Sequence, residues 1–156
     1  MPPRLTVELV PKTCWFSNLR DHLDKPTWNF IRRQIYAKAM YTCQICGMRN
    51  IQLECHEVWY YDDKHKIQQL AGLAALCPMC HAVKHIGHAR LSGKYEQALQ
   101  HLMRMNGWNE NQAKKHIAKA FEKAKERGQY NWQLDLRWLA ANYGIYVASK
   151  RKSRPK

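Results

Sequence analysis

The residues best suited to chemistry are crowded into one stretch of the chain. Residues 41–90 hold five of the six cysteines and five of the eight histidines. Four of those cysteines form two C-x-x-C pairs, Cys43 with Cys46 and Cys77 with Cys80. Two thiolates within one tight turn can take adjacent corners of a tetrahedron, and Gly47 and Pro78 favour such turns. Two pairs complete a four-cysteine set, the closed arrangement of structural zinc. In small peptides such sites contribute on the order of 10–16 kcal/mol, enough to order a module with little core. A lone pair would read as well as a redox motif, but two matched pairs favour zinc. Cys14 and Cys55 fall outside the set and read as small buried apolar residues.

The histidines suggest a second, different centre. His81 and His85 are four residues apart on an expected helix, so their imidazoles share one face and can meet one ion. His56 falls on an expected strand inside the loop that zinc would close. One strand ligand and two helix ligands leave metal positions open for water and a phosphate oxygen. Three imidazoles suit Zn2+, Ni2+ or Mn2+ as well as Mg2+.

The elements that must position these groups follow from periodicity and breakers. Residues 1–23 read as irregular, with Pro2, Pro3 and Pro11 as breakers and Cys14, Trp15 and Phe16 as an apolar anchor. A helix is expected over 27–40, capped by Thr27, with Trp28, Ile31, Ile35 and Ala39 facing the core. A strand is expected over 51–60, a turn near Asp62 and Asp63, and a second short strand before Cys77. A helix then runs from near Cys80 through His88. Helical spacing resumes over 94–105 and stops at Asn106 and Gly107. Asn109 caps the next helix with Gln112 three residues on. A last helix is expected over 134–143, ending at Gly144. The chain is thus α+β and mainly helical: an N-terminal anchor and helix (1–40), the Cys/His core (41–92), a helical region (93–147) and a basic tail (148–156).

Charge narrows the partner. Twenty-six Lys and Arg against twelve Asp and Glu leave a net +14, a field that attracts polyanions without specifying fold or catalysis. Lys115, Lys119 and Lys123 recur at four-residue spacing, which fits an ordinary solvated helix face as well as DNA contact. Lys150, Arg151 and Lys152 belong to a tail rich in cations and free of acids, suited to non-specific phosphate binding. No run approaches the roughly 20 apolar residues of a membrane span, and the first residues lack the apolar region of a signal peptide. A cytoplasmic protein without membrane contact is expected.

Leu53 through Val58, followed by Leu73, Leu76, Cys77, Cys80, His81 and His85, resembles the zinc-braced HNH (His-Me finger) endonucleases. The likeness covers residues 41–88. It implies a ββα-metal finger, a structural Zn2+, one catalytic divalent metal, phosphodiester hydrolysis in DNA (RNA not excluded), and a bacterial or phage setting. That family pairs a strand metal ligand with a following general base. Alignment on Leu53, Cys55 and Val58 puts His56 at the ligand position and Glu57 at the base, with His81 and His85 completing the metal set. The other register makes His56 the base, with Cys55 or Glu54 nearest the metal. Two departures stand out: Glu57 replaces the family's usual histidine, and Gly72 occupies the place of its Asn, with Gln68 or Gln69 as substitutes. The rival readings are a non-catalytic zinc module that binds nucleic acid and an assembly factor.

Deleting residues 150–156 is expected to weaken DNA binding without lowering the melting temperature. The slope of log affinity against log salt should flatten as fewer counterions are released; an unchanged slope counts against the arm.

Overall fold

A single side chain starts the first helix. In the computed structural model, which describes residues 2–14 and 19–147, the Asp24 carboxylate accepts from the Thr27 N–H at 2.8 Å. Pro26 lies in the first turn of α1 (Lys25–Lys38), where a missing N–H is not needed. Thr27, the expected cap, is therefore inside the helix. Ile31 and Ile35 are buried as their spacing requires. Trp15, Phe16 and the basic tail with Lys150, Arg151 and Lys152 lie outside the described residues.

The sheet is built on one long hairpin. β1 (Glu54–Asp62) and β2 (Ile67–Leu76) pair antiparallel from Glu54 opposite Leu76 to Asp62 opposite Ile67. Their turn is set by the Asp62 carboxylate, which accepts from the backbone N–H groups of Lys64 and His65. β2 is much longer than the short strand expected. Val58 pairs with Gly72 and Trp59 with Leu70, leaving Ala71 as an extra residue. Such a bulge bends the strand and re-aims the side chains on either side of it.

A third strand was not legible as one. β3 (Gln133–Asp135) pairs in parallel with β2, giving the order β1-β2-β3. The helix expected over 134–143 starts later, as Arg137–Tyr143, because the Asp135 carboxylate accepts from Arg137 N and turns the chain there. Gly144 ends it in the left-handed conformation, φ 67°.

Between hairpin and β3 lie four helices: α2 (Pro78–Lys84), α3 (Ile86–Leu91), α4 (Tyr95–Asn106) and α5 (Glu110–Arg127). The last helix is α6. The single helix expected from Cys80 to His88 is instead two, starting earlier and meeting at His85, whose φ and ψ are −110° and 51°. His85 N still donates to His81 O at 3.1 Å, so the one-turn relation of the two histidines survives. Asn109 and Gln112 form the expected capping box of α5, and Gly107 the left-handed end of α4. Val83, Ile86, Leu99, Leu102 and Ile117 of these helices are buried in one core with Ile31 and Leu76. The chain is mixed α+β, and among the described residues no helix is long and apolar enough to cross a membrane.

Residues 4–8, expected to be irregular, are tied down as an ordered strap. Asn106 Oδ1 accepts from the Arg4 and Leu5 N–H groups at 2.8 and 3.2 Å, and Asn106 Nδ2 donates to Leu5 O at 2.8 Å. Val7 N donates to His116 Nε2 at 3.0 Å, Glu8 N to Lys84 O at 3.2 Å, and the Arg4 guanidinium to Ile45 O at 3.1 Å. Asn106→Ala strips the strap of its main anchor and should cost about 1–3 kcal/mol. The melting temperature should drop by roughly 2–4 °C per kcal/mol; an unchanged value in calorimetry would mean the strap is held elsewhere.

Candidate metal centre

The four-cysteine set is assembled by two different turns. In the first, Gly47 N donates to Cys43 O and Cys43 N to Met48 O, with Gly47 at φ 78° as a tight turn needs. Gln44 docks this turn on the end of β2: its N–H donates to Ala75 O, and its side-chain oxygen accepts from Ala75 N at 2.8 Å. The second turn is the start of α2, where Cys77 is the N-cap and its sulfur accepts from Cys80 N at 3.4 Å.

The four sulfurs lie within 4.8 Å of one another, and Cys46 Sγ is 3.6 Å from Cys77 Sγ. A zinc tetrahedron with bonds of about 2.3 Å has edges of about 3.8 Å, so the four cysteines are close enough to bind a zinc ion. Ionising all four cysteines together would need a cation. Burial opposes ionisation of Cys43, yet hydrogen bonds from the backbone of Cys46, Cys77 and Ile45 bring its thiol down to about 7. Burial and the neighbouring Cys43 and Cys77 sulfurs push Cys80 upward. Four thiolates cannot coexist here without a positive charge among them. His101, buried on α4, holds Nε2 at 3.1 Å from Cys80 Sγ, placed to donate to a thiolate.

The three histidines meet on the other side of α2. His56 from β1, His81 from α2 and His85 at the α2–α3 junction each bring a ring nitrogen within 4.8 Å of the others. Their ring centroids are 4.8–5.3 Å apart. In two of them one nitrogen is already engaged by a carboxylate: His56 Nε2 with Glu8 Oε2 at 3.1 Å, and His81 Nδ1 with Glu54 Oε1 at 2.7 Å. The opposite nitrogens, His56 Nδ1 and His81 Nε2, are buried with no hydrogen-bond partner. Orphaned buried nitrogens are costly unless something accepts their lone pairs, and carboxylate–histidine pairs are the usual outer shell of a metal site. Burial, then His81 and His56, push His85 down to about 4, which keeps it neutral and able to ligate. The residues fit a divalent ion.

Glu8 is the surprise in this arrangement. Burial works against its charge, but the hydrogen bond to His56 and the Lys84 ammonium outweigh that and hold its carboxyl at about 2. Lys84 is itself buried, with Nζ 2.7 Å from Glu8 Oε1 and 2.9 Å from Thr6 Oγ1. Glu54, which the alternative register puts beside the metal, instead supports His81.

Glu57 follows His56 on β1, so the two side chains leave opposite faces of the strand. It is buried, and its Oε1 accepts from the Leu19 N–H at 3.0 Å. Glu57, His81 and His85 all border a groove of about 1090 Å³ running between α1 and the α2–α3 pair. Arg20, Lys25, Arg32 and Lys94 also line this groove. The lysines of α5 do not: Lys115 and Lys119 are exposed elsewhere on that helix. Lys123 borders a smaller hollow with Glu8, His56 and His85 and pairs with Asp63 and Glu126 at 3.9 and 3.8 Å.

Cys55 lines the groove as a half-buried thiol that burial raises to about 12, and Cys14 is buried and raised to about 12 as well. Gly72 lies in β2 opposite Val58, and an added Cβ there meets nothing within 4 Å. Gln68 and Gln69 cannot replace an Asn there, because they pair with Tyr61 and Tyr60 near the far end of the hairpin. Gln68 bonds Tyr61.

The geometry thus defines a hairpin-and-helix module with a four-cysteine cluster on one flank and a three-histidine cluster on the other. No family model matches the chain, and neither a curated protein nor a solved structure does.

The two clusters should separate by mutation. Cys77→Ser is expected to lose zinc and melt far below wild type, since it removes a ligand and a helix cap together. His85→Ala should keep one zinc per chain and melt within a few degrees of wild type. Metal content by mass spectrometry beside calorimetry decides; if both variants unfold alike, the histidines serve the fold.

Proposed function

We propose that the chain is a metal-dependent endonuclease of the HNH kind, hydrolysing phosphodiester bonds in DNA. The observation that carries this reading is the convergence of His56, His81 and His85, two of them with orphaned buried nitrogens, with His81 and His85 at the edge of a groove that Arg20, Lys25, Arg32 and Lys94 line together with Asp21, Glu54 and Glu57. A divalent ion held by these histidines would polarise a phosphoryl oxygen and neutralise charge on the leaving oxygen. Arg20, Lys25, Arg32 and Lys94 would neutralise backbone phosphates on either side of the reacting one. Three acids border the groove, Asp21, Glu54 and Glu57; with Glu54 engaged by His81, Glu57 would take a proton from the attacking water, and the Leu19 N–H holds it in one orientation. Lys115 and Lys119, exposed away from the groove, would then act by long-range attraction, while Lys123 borders the hollow beside His56 and His85.

The Leu19–Glu57 bond also favours a second reading. A carboxylate engaged by the backbone is an anchor as well as a base, and with Glu57 as anchor alone the chain is a zinc module that binds nucleic acid without cutting it.

Nicking of supercoiled DNA, with and without chelator and with Mg2+, Mn2+, Ni2+ or Zn2+ restored, separates the two. His85→Ala should bind DNA but fail to cut, and Glu57→Gln should lose about 10²–10⁴-fold in rate while keeping its metals. If Glu57→Gln cuts at the wild-type rate while His56→Ala keeps metal and fails, His56 is the base. Salt-sensitive binding with no nicking under any ion selects the binding module, and a parallel RNA substrate tests the choice of DNA.

A further inference from the structure

The strap of residues 4–8 ends on Glu8, the acid that among the described residues bonds His56, and that acid has no role in the proposed chemistry. Glu8 is contributed from 48 residues away in the chain. Its two oxygens are divided: Oε2 faces His56 Nε2 at 3.1 Å and Oε1 faces Lys84 Nζ at 2.7 Å. A carboxylate only accepts, so the His56 nitrogen facing it must be the one that carries hydrogen. A neutral imidazole has one N–H, and its lone pair is then on Nδ1, the atom left buried and without a partner. At 3% exposure His56 has no solvent to make that choice for it. His81 is set the opposite way round, with Nδ1 on Glu54 and Nε2 orphaned.

From this geometry we propose that Glu8 is a positioning residue for the histidine centre. Its carboxylate fixes the tautomer and ring angle of His56 so that Nδ1 offers its lone pair to the ion, and the strap delivers that carboxylate. This rests on the three histidines being ligands, but not on DNA being the substrate. Lys84 bonds the other oxygen of Glu8 and the Thr6 hydroxyl, which steadies the strap.

The test uses the full chain with its four-cysteine site loaded with zinc, titrated with further zinc and followed by two-bond proton–nitrogen correlation at the His56 ring. Wild type should carry the His56 hydrogen on Nε2 before the second ion is added. Glu8→Ala should mix the tautomers and weaken the second zinc by about 10–100-fold, the usual effect of removing an outer-shell partner, while the first zinc stays. Lys84→Met should keep the tautomer and weaken the second zinc clearly less than Glu8→Ala does. The proposal is overturned if wild-type His56 carries hydrogen on Nδ1, if Glu8→Ala binds the second zinc unchanged, or if Lys84→Met weakens it as much as Glu8→Ala does, since Glu8 is then only a clasp. Should Glu8→Ala fail to fold, the wild-type tautomer and Lys84→Met still decide. A protein that shows these effects yet cuts no DNA keeps Glu8 in this role and loses the nuclease reading.

Discussion

Both clusters depend on Cys77. It stands where β2 ends and α2 begins, and its sulfur caps the helix while facing the other three cysteines. Because it has no spare residue on either side, the direction in which α2 leaves the sheet is set within one turn of the tetrahedral cluster. His81 and His85 follow from that direction, four and eight residues on. A zinc ion there would fix more than a loop: it would lock the angle between the strand that carries His56 and the helix that carries its partners. The Gln44 clamp on Ala75 serves the same end from the other C-x-x-C turn. Rigid placement matters because catalytic or ligating groups lose much of their value with small displacements.

The electrostatics are arranged against the overall charge. A chain of net +14 would repel a divalent cation, yet each of two histidines is backed by its own carboxylate, Glu8 or Glu54. These two negative charges lie behind the rings, away from the orphaned nitrogens. The cations of the groove are on α1, its preceding turn and the segment after α3. Glu54 lines the same groove as these cations, so charges of both signs meet along one surface beside His81.

How much of this was readable depended on the range of the interaction. The C-x-x-C pairs, the Asn109–Gln112 box, and Gly107 and Gly144 are local devices whose spacing states their geometry, and the structure has them as written. The relation of His81 to His85 was legible too, although the helix breaks at His85, because one backbone hydrogen bond preserves it. β3 was hidden since three residues carry no period, and Leu134 and Leu136 fit a helix start as well as a strand. The length of β2 was obscured by Gly72 and the alanines around the bulge, which carry no alternation of apolar and polar residues. Glu8 could not be seen at all. A single acid among prolines has no pattern, and its meaning comes from partners at positions 56 and 84. The groove cations Arg20, Arg32 and Lys94 were missed for the same reason, whereas the regular lysines of α5 lie outside that groove.

The strap also imposes an order of events during synthesis. Residues 4–8 leave the ribosome well before the groups that hold them, Lys84, Asn106 and His116, are made. The hairpin and its four cysteines are complete once residue 80 has emerged, so a zinc-loaded core can form while the strap still hangs free. Contacts between distant parts of a chain form late because closing long loops costs entropy. Glu8 can reach His56 only once the strap docks on Lys84 and Asn106, so all four cysteines are available before the histidine centre has its second carboxylate.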